Sequence, residues 1–357
     1  MLTVINEFKF NGDYKNHKPV GDGHINDTYL VDFDTNQYVI QRINHQIFTN
    51  PVGLMENVER VTQYIKKIVT EEGGNAEREV LEIIRTHDDA LYTQDLEGNY
   101  WRAYQYISNA TSFNLVEDPE VFYQSGVAFG KFQYQLSEFP VETLHYTIEK
   151  FHHTPSRYVT FEKTIARDPH SRAAAVQEDI NFYKERADFM NILWDLHEKG
   201  EMPLKVTHND TKLNNVMIDN VTKQALCVVD LDTVMPGFAV DDFGDAIRFG
   251  ASTALEDEQD LNKVNFSIEY YEAFTKGFIE GGNGSFTDVE LDQFAVGAKM
   301  MTLECGMRFL TDYIDGDNYF KTDYDTHNLV RSRTQMKLIQ DMEAQWDAMH
   351  AVVNKYR

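Results

Sequence analysis

Residues 206–232 read Val-Thr-His-Asn-Asp-Thr-Lys-Leu-Asn-Asn-Val-Met-Ile-Asp-Asn-Val-Thr-Lys-Gln-Ala-Leu-Cys-Val-Val-Asp-Leu-Asp, with two short apolar runs among polar residues. The runs at 216–218 and 225–229 predict two strands joined by a turn. An antiparallel hairpin pairs residues that lie at equal distances from its turn. The sequence therefore predicts a hairpin that brings Asn215 and Asp230 side by side.

The polar residues around this hairpin are of the types that phosphoryl transfer requires. Asp210 is predicted to orient an acceptor hydroxyl and to accept its proton. Asn215 and Asp230 are predicted to share a magnesium ion that bridges the nucleotide phosphates. Lys212 is placed to reach the transferring phosphate as a point charge. Isolated Asp and Asn residues are common in turns, but these four residues have the spacing of a kinase catalytic loop, which favours a functional site.

A second candidate for the metal carboxylate stands nearby, because residues 242–244 read Asp-Phe-Gly, the tripeptide of protein-kinase metal sites. A predicted strand leads into Asp230 but none leads into Asp242. Asp230 is therefore assigned to the metal, and Asp242 to a structural role. Asp245 is predicted to brace the catalytic loop from the start of a helix. His208 is predicted to order the loop backbone rather than to act as a base.

Length and charge limit the possible functions. The 357 residues are enough for two lobes, each with its own core. The formal net charge of −25 argues against nucleic acid and anionic membranes as partners. Cys227 and Cys305 lie in apolar runs, as expected for buried thiols in a reducing cytosol. No signal peptide or membrane-spanning run is recognisable in the sequence, so a soluble, cytoplasmic protein is expected.

The first hundred residues are rich in predicted strands and contain one prominent helix. The strands fall within 20–44, 90–94 and 100–107. The helix has Asn50 as its N-cap and Pro51 at its first position, and a pair of glycines ends it.

From about residue 108 the apolar spacing becomes helical. Helices are predicted at 122–136, 172–199, 266–277, 287–313 and 328–356, the fourth beginning with a capping box formed by Thr287 and Glu290. The change in character predicts a β-rich nucleotide-binding lobe at 1–106 and a mainly helical lobe at 107–357, with the catalytic loop and acceptor site in the latter. The predicted class is α+β, with a bilobal, protein-kinase-like fold.

Several segments resemble a known group of enzymes. His208-Asn209-Asp210 through Asn215, followed by Val-Val-Asp at 228–230, is similar to the aminoglycoside phosphotransferase and choline kinase superfamily. Longer segments resemble the branch of that superfamily that phosphorylates N-acetylhexosamines at the anomeric hydroxyl. They read Gly-Asp-Gly-His-Ile-Asn at 21–26, Thr-His-Asn-Asp-Thr-Lys-Leu-Asn-Asn at 207–215, Asp-Leu-Asp-Thr at 230–233, Asp-Ala-Ile-Arg-Phe-Gly-Ala-Ser-Thr at 245–253 and Glu-Cys-Gly-Met-Arg-Phe-Leu at 304–310.

This resemblance implies ATP and Mg²⁺ as cofactors, and a small sugar as the second substrate. N-acetylglucosamine or N-acetylgalactosamine would be converted to its 1-phosphate. The resemblance also implies that His24, Asp210, Thr233 and Arg308 contact the sugar. From the residues alone three of these roles stay open. His24 could belong to a surface loop, Thr233 could cap a turn, and Arg308 could pair with Glu304 one helical turn earlier.

The N-terminal lobe departs from the protein-kinase pattern. The third strand of a protein kinase carries a lysine that pairs with the nucleotide phosphates. Here the strand reads Tyr-Val-Ile-Gln-Arg, and Gln41 or Arg42 occupies that position according to the register. Glu59 or Glu56 of the following helix is the candidate partner.

Gly21 and Gly23 form a short glycine turn, which is a weak nucleotide-binding signal. Three hypotheses remain. The first is an anomeric sugar kinase, and the second is a related kinase that acts on an aminoglycoside, choline-like or amino-acid hydroxyl. The third is an inactive nucleotide-binding scaffold, prompted by the missing strand lysine, and the intact set of candidate catalytic residues argues against it.

Overall fold

The computed structural model describes residues 1–20 and 25–357, so that Gly21, Gly23 and His24 lie outside the described residues. The chain divides into two compact units. Unit 1 comprises Met1–Ser112, Gln135–Glu149 and Asn215–Pro236, and unit 2 comprises Phe113–Tyr134, Lys150–Asn214 and Gly237–Arg357. Unit 1 contains a small antiparallel sheet and unit 2 is mainly helical, which confirms the predicted α+β class.

Strands dominate the first part of the chain, as predicted, and others lie between residues 205 and 237. They are β1 (Tyr14–Pro19), β2 (Asp27–Phe33), β3 (Gln37–Ile43), β4 (Ile83–Ile84), β5 (Thr93–Gln94), β6 (Tyr100–Gln105), β7 (Ala110–Thr111), β8 (Lys205–Thr207), β9 (Val216–Asp219), β10 (Ala225–Val228) and β11 (Met235–Gly237). The main sheet of unit 1 has the order β1-β2-β3-β6-β4, and β5 pairs with β6. A core cluster packs on this sheet and contains Val4, Ile5, Phe8, Val31, Ile40, Trp101 and Ala103.

The helices are α1 (Leu2–Ile5), α2 (Pro51–Glu71), α3 (Ala76–Glu79), α4 (Pro119–Gln135), α5 (Thr154–Arg167), α6 (Gln177–Lys184), α7 (Ile192–Glu198), α8 (Ala239–Gly250), α9 (Ile268–Gly282), α10 (Asp288–Asp292), α11 (Phe294–Asp315), α12 (His327–Ala344) and α13 (Trp346–Tyr356). Short 3₁₀ helices cover Val141–Thr143, Ala173–Val176, Ala187–Asn191, Leu213–Asn215 and Leu231–Thr233.

Helix α2 has the predicted start and end. The Asn50 side chain accepts a hydrogen bond from the Gly53 amide at 3.0 Å, and Pro51 stands at the first helical position. Its apolar face is buried. The helix stops before Gly73, whose φ of +77° is in the left-handed region that glycine adopts without strain.

The predicted hairpin forms from β9 and β10 in unit 1, with one difference in register. Val216 pairs with Val228, and the Val229 amide donates to the Asn215 carbonyl at 2.9 Å. Asn215 therefore lies opposite Val229 rather than Asp230. The turn is centred one residue earlier than predicted, since the Asp219 amide donates to the Gln224 carbonyl, and the register shift between Ala225 and Cys227 recovers only part of that offset.

Three of the predicted long helices are interrupted. The predicted helix 172–199 consists of a 3₁₀ turn, α6, a second 3₁₀ turn and α7. Helix α6 ends where Arg186 donates to the Phe182 carbonyl at 2.9 Å, which satisfies one of the last carbonyls of the helix. The predicted helix 287–313 breaks at Gln293 and the predicted helix 328–356 breaks at Gln345. The capping box of Thr287 and Glu290 is confirmed.

Helix α5 was missed by the apolar pattern, and α8 was expected to begin only at Asp245. The N-cap of α5 is His153, whose Nδ1 accepts from the Ser156 amide at 3.1 Å, and histidine is not one of the preferred capping residues. Helix α8 has a polar stripe at helical spacing, formed by Asp241, Asp242, Asp245 and Arg248, but this stripe is buried like the apolar face.

The glycine of the Asp-Phe-Gly tripeptide has a packing role. A Cβ atom built on Gly244 would collide with the Gly297 carbonyl of α11, and one built on Gly297 would collide with the Val240 carbonyl of α8. Both glycines thus permit the close approach of α8 and α11. Among residues 1–20 and 25–357, no helix has the length and apolar character needed to cross a membrane.

Candidate active site

The candidate catalytic loop of unit 2 begins directly after β8. Asn209 adopts a left-handed backbone with φ of 63°, so the chain turns sharply just before Asp210. The amides of His208 and Asn209 donate to the two carboxylate oxygens of Asp242, at 2.9 and 2.7 Å. Gln133 Nε2 donates to the same carboxylate at 2.8 Å. Asp242 therefore holds the loop backbone from the first turn of α8, and its burial raises its pKa above the ordinary range.

Asp245 holds the next residue of the loop. Its Oδ2 accepts from the Thr211 amide at 3.1 Å, and its Oδ1 accepts from Arg248 Nε at 3.1 Å. The buried carboxylate of Asp245 is thus held by a loop amide on one oxygen and by Arg248 on the other. Arg248 in turn also donates to Glu256 at 2.7 Å. Asp245 braces the loop, as the sequence predicted. It does so from the second turn of α8, because this helix begins at Ala239 and not at Asp245.

Asp210 and Lys212 are brought together. Lys212 Nζ lies 2.8 Å from Asp210 Oδ1, and their side chains are 33% and 29% exposed, so both can meet a ligand. The Asp210 carboxylate raises the pKa of Lys212 well above the ordinary range, which keeps the ammonium charged. The Asp210 amide donates to His208 Nδ1 at 3.3 Å. His208 is fully buried, and its ring packs against the rings of Phe129 and Phe132, so it supports the loop from the interior of the protein.

In unit 1, four residues form what we call the hairpin cluster: Asn26, Gln41, Arg102 and Asp232. Arg102 on β6 is paired in register with Gln41 on β3, and its Nε and Nη2 donate to Gln41 Oε1 at 3.0 and 2.9 Å. The same guanidinium forms an ion pair with Asp232, and both side chains are almost fully buried. Asn26 Nδ2 donates to the other Asp232 oxygen at 2.6 Å. Although burial alone opposes the charge, the Asp232 carboxylate raises the pKa of Arg102 above its ordinary value.

The hairpin cluster decides the strand register that the sequence left open. Gln41 faces Arg102, whereas Arg42 is exposed and pairs with Asp27. Glu59, predicted to partner the strand residue, pairs instead with Arg85. The expected pairing between a helix glutamate and β3 is therefore not made.

Glu56, the alternative partner, is bound by Arg60 at 3.2 Å and His145 at 2.8 Å. The sheet does carry a buried arginine, but this is Arg102 on the neighbouring strand β6 rather than a residue of β3. Arg102 pairs with Asp232, which lies just after β10.

The predicted metal ligands, Asn215 and Asp230, lie at the ends of the hairpin strands. Asn215 is 6% exposed, and Asp230 has a left-handed backbone with φ of 60°. Asp232 is bound by Arg102 and Asn26, and the predicted donors to a metal are the amide oxygen of Asn215 and the carboxylate of Asp230. These hard oxygen ligands suit Mg²⁺, which characteristically takes one or two protein carboxylates and completes its shell with phosphate and water. Among the described residues, no cluster of three or more His, Cys, Asp or Glu side chains suggests another metal centre.

The predicted sugar contacts are spread over both units. His24 lies outside the described residues, and Thr233 is 7% exposed in the 3₁₀ turn Leu231–Thr233 of unit 1. Arg308, on α11 of unit 2, is 16% exposed; its Nη1 lies 4.0 Å from Glu304, and its Nη2 donates to the Tyr319 hydroxyl at 3.4 Å. Its guanidinium also lies 5.5–5.6 Å from the ring centroids of Phe151, Tyr319 and Phe320.

Arg308 lines a cavity of about 420 Å³ in unit 2 that is rich in cations. Arg157 and Lys163 of α5 share this cavity. Its two carboxylates are satisfied nearby. Asp312 accepts from three backbone amides at 2.8–2.9 Å, and Asp315 pairs with Arg167.

The sequence analysis missed Arg102, Asn26 and Gln133 as members of these networks. Arg102 carries the one available signal, since it is a charge inside the apolar run Trp101-Arg102-Ala103 of a predicted strand. A lone buried arginine demands a partner. Its partner, however, lies 130 positions along the chain and is not evident from local pattern.

Comparison with known proteins agrees with this architecture. Residues 16–275 match the phosphotransferase enzyme family, APH. The fold is similar to that of an aminoglycoside phosphotransferase from Alicyclobacillus acidocaldarius subsp. acidocaldarius DSM 446, with TM-score 0.65, 10% identity, and coverage of 99% of this chain and 96% of that one. It is similar to spectinomycin phosphotransferase in complex with ADP and spectinomycin, with TM-score 0.57, 14% identity and 95% of both chains. It is also similar to choline kinase from Cryptosporidium parvum Iowa II, with TM-score 0.55, 12% identity, and 98% of this chain and 94% of that one.

At these identities the structural similarities establish the fold alone, which is the kinase-like fold of a small antiparallel-sheet lobe and a larger helical lobe. The family match covers well over half of the sequence. The chain belongs to the phosphotransferase enzyme family.

Proposed function

We propose that this protein is an ATP-dependent kinase that phosphorylates the anomeric C1 hydroxyl of N-acetylhexosamines. N-acetylglucosamine and N-acetylgalactosamine are the expected acceptors, and the product is the sugar 1-phosphate. Support comes from the family match, which assigns phosphoryl transfer, and from the segments at 21–26, 207–215, 230–233, 245–253 and 304–310 that resemble kinases of this type.

One observation carries the chemistry. Asp210 is a part-exposed carboxylate on a loop whose backbone is tied to buried carboxylates, and the Lys212 ammonium lies 2.8 Å away. In the proposed reaction Asp210 orients the sugar hydroxyl and accepts its proton as the oxygen attacks the γ-phosphorus of ATP, and ADP leaves. Lys212 offsets negative charge on the transferring phosphoryl group.

Asn215 and Asp230 would hold Mg²⁺. The ion would neutralise charge on the β- and γ-phosphates. Gln41 takes the place of the usual strand lysine in this proposal, so the phosphates depend more on backbone amides and the metal. Gly21 and Gly23 are the proposed source of those amides. Arg42 and Glu59, engaged with Asp27 and Arg85, are the weakest of the proposed nucleotide-binding residues.

The surroundings of Arg308 favour an uncharged acceptor over a cationic one. Arg308, Arg157 and Lys163 line one cavity, and burial together with neighbouring Arg308 lowers the pKa of Arg157. A cationic acceptor that contacted Arg308 would be repelled there. The sugar hydroxyls of an N-acetylhexosamine can instead accept from the guanidinium and pack against the Phe151, Tyr319 and Phe320 rings around it.

The decisive experiment measures ADP formation with a panel of N-acetylhexosamines, aminoglycosides, choline, ethanolamine and amino alcohols. Phosphorus NMR of the product then locates the phosphate through its coupling to the anomeric proton. The Asp210→Asn variant corrects for background ATP hydrolysis. Turnover only with cationic acceptors, or phosphate on another hydroxyl, would contradict the proposal.

A further inference from the structure

His152, in the segment just before α5, contacts the catalytic loop through one edge of its ring and a buried glutamate through the other. Its Nδ1 lies 2.9 Å from Glu304 Oε1, and its Nε2 lies 3.2 Å from the backbone carbonyl oxygen of Asn209. The His152 side chain is 9% exposed and that of Glu304 is fully buried. Asn209 is the residue that directly precedes Asp210.

Both partners of the ring are acceptors. A carbonyl oxygen has no proton to donate, and neither has an ionised carboxylate. A neutral imidazole has one N–H and one acceptor nitrogen, so it can satisfy only one of these contacts, whereas an imidazolium satisfies both. We infer that His152 is a buried imidazolium and acts as a positioning residue that fixes the Asn209 carbonyl and thereby the backbone that presents Asp210.

The surrounding charges agree with a cation at this position. From α11, Glu304 faces His152, and Arg308 lies behind Glu304 at 4.0 Å. From α8, Asp241 and Asp245 add smaller electrostatic effects that also favour the charged ring. Although burial opposes the charge, Glu304 raises the pKa of His152 above its ordinary value.

Glu304 is equipped to be the counter-ion. Its second oxygen accepts from Thr154 Oγ1 at 2.6 Å. Burial by itself disfavours the carboxylate, but His152, Arg308 and Thr154 together lower the pKa of Glu304 to about 2. The carboxyl of Asp241, by contrast, has its pKa raised well above the ordinary range by burial, so it adds little negative charge at neutral pH.

The Asn209 residue shows why such a clamp is useful. Its left-handed backbone is a sparsely populated conformation, which the surrounding structure must hold in place. The amide side is held by Asp242 at 2.7 Å, and the carbonyl side is held by His152. Loss of the imidazolium would release the carbonyl side and let the orientation of Asp210 vary.

The inference rests on the proposed role of Asp210, but its first test does not need a substrate. Nitrogen-15 NMR of the histidine-labelled full chain reports whether each ring nitrogen is protonated. We expect both nitrogens of His152 to be protonated at pH 7, with assignment by loss of the signal in His152→Gln. His145 is the matched control, because it also contacts a glutamate, Glu56, but is 41% exposed. A neutral His152 ring at pH 7 overturns the inference, whether or not any sugar is phosphorylated.

The second test is kinetic and uses whichever acceptor the panel identifies. His152→Gln is expected to lower kcat roughly 10- to 100-fold with little change in KM for ATP, since the loop is misplaced but the nucleotide residues are intact. Glu304→Gln removes the counter-ion, so the high-pH limb of the kcat profile should move to lower pH, while His145→Gln leaves the profile in place. An unchanged pH profile in a folded Glu304→Gln variant overturns the inference. If that variant does not fold, the NMR titration of the wild-type ring decides.

Discussion

The hairpin cluster of unit 1 and the catalytic loop of unit 2 are both held by buried carboxylates, but in opposite ways. In the hairpin cluster, Asp232 is bound by the side chains of Arg102 and Asn26, so charge meets charge. In the loop, Asp242 and Asp245 accept from backbone amides, although Asp245 also pairs with Arg248 of its own helix. The first arrangement fixes one side chain against another, and the second fixes the path of the main chain. The two should therefore respond differently to the loss of a single partner.

The largest expected effect is the loss of turnover when Asp210, the residue that the catalytic loop presents, is replaced. Asp210→Asn removes the proposed proton acceptor and leaves Asn215 and Asp230 intact. We expect kcat to fall roughly 10²–10⁴-fold, because that is the usual contribution of a general base. Calorimetry should find Mg·ATP binding largely unchanged.

Asp230→Ala is the matched comparison from the hairpin, and it should weaken Mg·ATP binding as well as turnover. Near-normal turnover in Asp210→Asn would show that the base assignment is wrong. Equal losses of Mg·ATP binding in both variants would show that the two regions do not divide the roles as proposed.

The next largest effect is on stability, in the hairpin cluster. Arg102→Met leaves Asp232 buried and charged with only Asn26 to compensate. Removal of one partner of a buried ion pair typically costs about 3–5 kcal/mol. The free energy of unfolding of the protein, from urea denaturation, measures this. The double variant Arg102→Met/Asp232→Leu should recover much of the loss. If Arg102→Met alone unfolds like the wild type, the pair is accessible to water and is not a buried ion pair.

The sequence predicted the parts of this architecture that are set by local pattern. Helix α2 carries its own cap and periodicity, and the hairpin carries its own turn, so both were expected within a few residues. The partner of Asn215 was off by one because the turn is centred one residue earlier than the apolar runs suggest, and the irregularity between Ala225 and Cys227 recovers only part of the difference.

The networks that hold the two regions were not predictable in the same way. Arg102 and Gln41 are 61 positions apart and meet only because β6 lies beside β3. Helix α8 was expected to start only at Asp245, because the buried contacts of Asp241 and Asp242 in its first turn are not evident from the sequence. The literal Asp-Phe-Gly illustrates the same limit, since Asp242 serves the loop amides and Gly244 serves the packing of α8 against α11.

A smaller effect separates the two aspartates that could be confused as metal ligands. Asp242→Asn keeps an oxygen for one loop amide but turns an NH₂ group towards the other. We expect a loss of about 1–3 kcal/mol in stability, the usual cost of a buried donor left unsatisfied. The Mg²⁺ concentration for half-maximal turnover should stay the same. Asp230→Asn should raise that concentration instead, and a shift in Asp242→Asn would reverse the assignment of the metal carboxylate.

The smallest effect is expected at the other end of the hairpin, where a part-exposed arginine pairs with a buried aspartate. Arg78 Nη1 lies 2.8 Å from Asp219, but the arginine is 33% exposed. The amides of Val221 and Thr222 also donate to this aspartate, both at 2.8 Å. Arg78→Ala therefore leaves two donors on Asp219, and because the arginine is partly in water the pair should contribute less than a fully buried one. The urea midpoint should change far less than in Arg102→Met.

The pH dependence of the stability of Arg78→Ala gives a sharper test than the midpoint at one pH. The Thr222 amide and Arg78 lower the pKa of Asp219. A carboxylate with a depressed pKa contributes stability above its unfolded pKa of about 3.9, and that stability is lost as the pH falls through the folded value. Without Arg78 the folded pKa rises part of the way back, so the stability that remains should disappear at a higher pH. Urea midpoints between pH 2 and 6, at low and high salt, measure this. A midpoint shift as large as that of Arg102→Met would mean that burial does not distinguish the two pairs, since they share the same chemistry and differ chiefly in exposure.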